Sequence, residues 1–249
     1  MRPKIRQLLA SNRGRGRFTI EAKATEATIY LYDMIVDTDE DAYWWGGVSA
    51  ESFVQQVAAL DVDTIHLRVN SPGGSVFAGR AMEQALRLHK AKVIAHVDGL
   101  AASAATFVIM GANEIEMAPG SFLMIHKCWS IALGNADDMR HEAGVLEQID
   151  ATIVATYARR TGIDQDQLTA MCAAETWIEA ADAVTQRFAD RVTSEEPAKA
   201  AAWDLSAYAH APAAQAAPPA PSAPPPEPPP PAVDRAALRR QALQRCIPA

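Results

Sequence analysis

Between about residue 18 and residue 195, short apolar runs alternate with longer stretches of helical period, the pattern of an α/β layer fold. Ile29 to Ile35 predicts a strand, and Phe53, Val57 and Leu60 then fall at i, i+4 and i+7 of a helix. Ile65, Leu67 and Val69 alternate as a strand up to a turn, after which Phe77, Ala81, Ala85 and Leu88 form a helical stripe. Val93 to Val97 predicts a third strand, and Ala102 to Met110 a helix. Two short runs, Glu114 to Met117 and Phe122 to Ile125, precede a long helix from about Asp137 to Arg160. On it Met139, Leu146, Ile149, Ile153 and Tyr157 trace one face until Gly162 stops it. The result is a series of βα units of one-domain size.

Composition shifts at both ends of this body. Residues 1–17 hold six basic and no acidic side chains, an N-terminal arm that reads as a solvated tail. Of 16 prolines, 11 lie between Pro212 and Pro231, so residues 196–232 read as an Ala/Pro-rich linker, extended and unable to build a core. Residues 233–249 form a basic segment of helical composition, too short to be a stable helix alone and so either a frayed tail or a docking helix. The whole chain carries a net charge of −7, and with both ends basic the acidic excess falls on residues 18–232, a poor surface for nucleic acid. No stretch approaches the roughly 18 consecutive apolar residues of a membrane span. The N-terminus also lacks the apolar region of a signal peptide, which predicts a cytoplasmic protein. Cys128, Cys172 and Cys246 are odd in number and widely spaced, which suggests neither a disulfide framework nor a metal site, and no cofactor is called for.

Chemistry concentrates at two strand ends. Asn70-Ser71-Pro72-Gly73-Gly74 joins a strand to a helix, and paired glycines let a backbone expose amide donors to an anion or an oxyanion, although an ordinary tight turn has the same string. About thirty residues on, the strand KVIAHVDG runs into Leu100-Ala101-Ala102-Ser103-Ala104-Ala105, where a lone Ser at a helix start is either an N-cap or a nucleophile that small neighbours leave approachable. A Ser nucleophile needs a base. Of the six histidines, His66, His89, His141 and His210 read as surface or interface residues and His96 as a packed strand residue. His126 ends the strand Phe122-Leu123-Met124-Ile125, where α/β folds meet their ligands.

Together these segments resemble the Clp-type serine peptidases. VNSPGGSVFAG resembles the family's Ser-Pro-Gly-Gly turn, with one extra residue before the valine, and GLAAS from Gly99 to Ser103 resembles its nucleophile box. Met124-Ile125-His126 resembles its base motif, Gly134 to Met139 its following segment, and WIEAADAVTQRFADRV its closing helix and strand. The resemblance spans about residues 25–193. It implies a Clp/crotonase-like α/β spiral of βα units with a long handle helix. It also implies Ser103 as nucleophile, His126 as general base, and the amides of Gly73 and Ala104 as the oxyanion hole. The family's third member, an Asp, is replaced by Glu175, which is either the orienting carboxylate or a solvated residue beside a helix.

Other departures concern substrate. After the base the chain reads Lys127-Cys128-Trp129-Ser130-Ile131-Ala132-Leu133-Gly134, expected to serve as an edge strand for peptide, and Lys127 raises a Ser-Lys dyad that its opposite strand face argues against. Glu175-Thr176-Trp177, the pair Trp44-Trp45 and the Pro-rich extension resemble the Clp-related head maturation proteases of tailed bacteriophages, unless those tryptophans are merely core or interface aromatics. The long helix resembles the Clp family's handle, which implies a homo-oligomeric ring, heptameric or doubled; the finer resemblance implies that it processes capsid, scaffold or portal proteins without ATP or under a partner's gate. The alternatives are a proteolytic subunit working with an ATP-driven unfoldase, a crotonase-fold acyl-CoA enzyme, and a non-catalytic assembly protein.

Overall fold

The computed structural model describes residues 4–194 and 203–212. The chain opens with helix α1 (Lys4–Asn12), a hairpin of β1 (Arg17–Lys23) and β2 (Glu26–Tyr32), then β3 (Ile35–Val36) and α2 (Asp39–Trp45). Next come β4 (Val48–Ser49), α3 (Ala50–Ala58), β5 (Thr64–Ser71), α4 (Val76–Leu88), β6 (Lys92–Ala102) and α5 (Ala104–Met110). The order continues with β7 (Glu114–Met117), β8 (Phe122–Ile125), α6 (Ala136–Thr161), α7 (Gln165–Ala173), β9 (Thr176–Glu179), α8 (Ala180–Thr185) and β10 (Arg191–Val192).

The main sheet runs β1-β2-β5-β6-β7-β10, parallel except for β1 at one edge. β6 is the pivot because its 11 residues serve two partners. Its first half pairs with β7, its second half with β8, and β9 then adds antiparallel to β8. Period-two alternation divides the sheet's faces. Ile29, Leu31, Ile65, Leu67, Val69, Val93, Ala95 and Val97 are buried in the core that α3, α4 and α5 cover. The other face carries a polar network: Arg68 grips Asp98 with two nitrogens, Tyr32 donates to the same carboxylate, and His96 joins His66 at 3.0 Å to Glu116 at 3.2 Å. His96 is therefore a hydrogen-bonded member of the polar face and not an apolar core residue.

The helix after the Gly-Gly turn is where expected, with its inner face rotated. Phe77 and Leu88 are 68% and 74% exposed, while Ala78, Met82 and Leu86, at i, i+4 and i+8, face the core. The apolar stripe chosen from the sequence is the outer face, because two interleaved stripes fit the period and burial alone separates them. The long helix is capped by Asn135 and stopped by Gly162 at φ +74°. Only its second half is docked, through Ile153, Val154 and Tyr157, whose hydroxyl meets that of Thr106 at 2.5 Å. Met139 stays half-exposed, so the first half projects.

Residues 4–12 of the expected solvated arm and residues 203–212 of the expected extended linker both pack on the body. Residues 4–12 are a helix whose Leu8 and Asn12 are buried, and residues 203–212 pack on the body through Trp203, Leu205 and Tyr208. The apolar side chains drive this together, Leu8 from one end and Trp203, Leu205, Ala207 and Tyr208 from the other burying their area in one cluster. Residues 213–232 of the expected linker and the expected helix at 233–249 lie outside the described residues. Among the described residues no helix is long and apolar enough to cross a membrane.

Candidate active site

Three strand registers bring distant residues to one place. Ser103 follows the last residue of β6 and His126 the last residue of β8; with Ala102 opposite Met124 in parallel register, the two strand ends lie side by side. The antiparallel pairing of Ile125 with Thr176 carries Glu175 to the same end of β8. Across β6, Ser71 pairs with Ala101, which sets the Pro72-Gly73-Gly74 turn beside Ser103.

Ser103 occupies the N-cap position of α5 but makes no capping hydrogen bond. Its backbone has φ 52°, ψ −121°, a conformation that a non-glycine residue holds only where its surroundings impose it. The strained turn aims its hydroxyl away from the helix, and Oγ lies 2.7 Å from His126 Nε2. Gly73 permits the approach. Its φ is +91°, and a Cβ there would stand 2.6 Å from the Ala102 carbonyl oxygen and 2.8 Å from Ser103 Cβ. Its N–H makes a 3.2 Å bond to Ser71 Oγ, while Ala104 begins α5, where helix geometry leaves the first amides without an intrahelical acceptor.

His126 is buried. Desolvation, the largest influence, pushes its pKa down to about 4; Glu175 and Asp150 draw it upward and Lys4 adds to the depression. The ring is neutral at pH 7, able to accept a proton. Glu175, at φ 51°, is 9% exposed and turns its carboxylate inward. Burial raises its pKa, but the amides of Ala209 and His210, the Trp177 indole and His126 outweigh that, so it stays below the usual carboxylate value and ionised. Its oxygens accept from Ala209 N at 2.9 Å, His210 N at 2.7 Å and Trp177 Nε1 at 3.4 Å; its influence on His126 is that of a nearby charge.

Ser103, His126 and Cys128 line one cavity of about 240 Å³ that is roofed by Ile5, Leu8, Trp129 and Tyr208. Cys128 is no rival nucleophile: burial, with Asp150 adding to it, pushes its thiol up to about 12. Lys127 is exposed and lines a separate cavity with Asp150 and Cys172, so a Ser-Lys dyad is not formed. The edge strand expected after His126 is also absent: residues 126–133 have no regular structure and β8 pairs with β9 instead. Trp129 and Tyr208 were not picked out from the sequence as site residues, yet their rings stand 4.6 and 5.5 Å from that of His126. The signal was there in the apolar spacing of Trp203, Leu205 and Tyr208 just before the proline run.

A family model described as Clp protease matches residues 46–196. The chain belongs to the Clp protease family. By that membership it is a serine peptidase, and Ser103, His126, Glu175 and Gly73 all fall inside the matched stretch. It is 30% identical over 160 residues to an ATP-dependent Clp protease proteolytic subunit of Pleurastrum terricola, covering 61% of this chain and 82% of the relative. It is also 26% identical over 153 residues to ATP-dependent Clp protease proteolytic subunit 1 of Borreliella burgdorferi, covering 59% and 79%. A solved structure, a point mutant of ClpP1 from Listeria monocytogenes, superposes with TM-score 0.58 at 21% identity over 68% of this chain and 91% of that one, a likeness of fold. Helix α1, the β1–β2 hairpin and residues 203–212 of this Clp-family chain lie outside the matched stretch.

Proposed function

We propose that this chain is an endopeptidase in which Ser103 Oγ attacks a peptide carbonyl while His126 Nε2 takes its proton. The bond from oxygen to carbon leaves a tetrahedral oxyanion, which the amides of Gly73 and Ala104 would stabilise. His126 then returns the proton to the leaving amine, an acyl-enzyme remains on Ser103, and water, deprotonated by the same ring, releases it. Glu175 stabilises the imidazolium by its charge. The 2.7 Å contact between the Ser103 hydroxyl and a neutral, buried imidazole carries this reading. Labelling by a fluorophosphonate tests it: Ser103→Ala abolishes labelling and His126→Ala slows it by a factor on the order of 10⁴ or more. Labelling that survives Ser103→Ala sinks the assignment.

On partners, the names of the curated relatives, ATP-dependent Clp protease proteolytic subunits, favour the reading as a proteolytic subunit that works with an ATP-driven unfoldase, and the long helix α6, similar to the family's handle, supports assembly into a ring. The head-maturation reading rests on Glu175-Thr176-Trp177, Trp44-Trp45 and the Pro-rich extension alone, and no comparison extends to it. Degradation of a folded substrate that requires both an unfoldase and ATP supports the first; ATP-independent cleavage of a co-expressed capsid protein supports the second.

A further inference from the structure

We infer that residues 203–212 are an autoinhibitory strap that fills the peptide-binding cleft and occupies Glu175 until it is displaced. The inference rests on the reading of Ser103 as the nucleophile.

The strap blocks the site in three ways. Trp203, Leu205, Ala207 and Tyr208 are buried against Leu8 of α1, Leu100 and Ala102 of β6 and Met124 of β8, the apolar ground beside the nucleophile. Tyr208 donates to the Pro72 carbonyl at 2.6 Å, lies close enough to Ser103 for that hydroxyl to influence its ionisation, and packs edge-on against His126. The amides of Ala209 and His210 each donate to one oxygen of Glu175, so the strap holds the carboxylate in its present orientation near His126. What remains over Ser103 is a cavity of about 240 Å³, below the range of roughly 300–1,000 Å³ that drug-sized ligands need.

The seating is built for release. The strap has no strand or helix hydrogen bonds to the body; besides the Tyr208 and Glu175 contacts it is tied by Asn12, which donates to the Asp204 carbonyl at 2.8 Å and accepts from Asp204 N at 2.7 Å, and by Gln7 to Ser206 at 3.0 Å. Among the described residues the buried Trp203 indole N–H has no acceptor, so seating the strap strips that group of water without replacement. Both halves of the clamp, α1 and the strap, lie outside the family-matched residues 46–196. Once it leaves, the apolar ground beside Ser103 is uncovered and the Glu175 oxygens lose the two amides that hold them, so opening the cleft also frees the carboxylate to reorient.

The test is the rate of fluorophosphonate labelling of the full chain, read by mass spectrometry at Ser103. Tyr208→Ala raises the rate at least tenfold over the unaltered chain. Tyr208→Phe, which keeps the ring but loses the Pro72 bond, and Asn12→Ala, which cuts both ties to Asp204 away from the catalytic groups, each raise it less. Circular dichroism establishes which variants are folded, so that Tyr208→Phe and Asn12→Ala decide if Tyr208→Ala is not. Rates equal within twofold in every folded variant, with labelling still lost in Ser103→Ala, overturn the strap and leave the nucleophile standing. No labelling in any variant, or labelling that survives Ser103→Ala, overturns the nucleophile and the strap with it.

Discussion

Gly73 shows how much of the site depends on an absent side chain. With φ at +91° and the Ala102 carbonyl where a Cβ would sit, Gly73→Ala must either shift the turn or push Ser103 off His126. Expected is a fall in Ser103 labelling of at least tenfold together with a loss of about 2 kcal/mol or more, by chemical denaturation. Gly120 supplies the contrast. It also has positive φ, at +76°, but nothing within 4 Å of its Cβ position, so Gly120→Ala costs only about 1 kcal/mol and leaves labelling unchanged. Ser103 and Glu175 pay the same backbone penalty with side chains attached, at φ 52° and 51°, which is why neither position looks unusual as a letter in the sequence.

Elements were legible to differing degrees, for identifiable reasons. β7 and β8 match their apolar runs because each is short and framed by turns, while β6 runs on to Ala102 well past Val97, since alanines give no alternation to read. For α4 the period announced a helix but not its inner face. Met82→Ala therefore costs about 2–5 kcal/mol through the cavity it leaves, whereas Phe77→Ser changes the stability of the isolated subunit by no more than about 0.5 kcal/mol. Equal losses in urea unfolding would mean the helix packs through the other stripe. The segment after His126 shows the opposite failure: its letters suit a strand, but β9 already occupies the adjoining edge of β8.

At the scale of the molecule, two buried groups pull stability in opposite directions with pH. His126 titrates near 4 when folded against an ordinary 6.5, so its contribution is complete above about pH 6.5, falls as pH drops, and is fully lost below about pH 4. Asp33 is pushed up to about 6 from 3.8 by burial, with Met34 and Gly47 amides opposing, so its neutral form adds stability below about pH 3.8 that is lost as pH rises through 6. Each amounts to roughly 3 kcal/mol at about 1.4 kcal/mol per pKa unit, and they offset between pH 4 and 6. Asp33→Asn should therefore make thermal stability fall steeply from pH 6.5 to 4, and His126→Gln should make it rise on acidification; parallel profiles for both variants would refute the assignment.

Much was readable from letters alone: the α/β class, the order of most elements, the turn at Gly73, and Ser103 and His126 as partners. The elements and the turn are local, written in periodicity and in small residues at strand ends, and the pairing of Ser103 with His126 was implied by the resemblance of their motifs to the Clp-type peptidases. The tertiary structure decided the rest, because it depends on which surfaces meet. Register across β6, β8 and β9 placed Glu175 near His126, and apolar area on α1 and on Trp203, Leu205 and Tyr208 found its cover beside Ser103 and His126. A segment whose composition suited a spacer thus became part of the site, since a few buried aromatic rings outweigh the leaning of their neighbours toward an open chain.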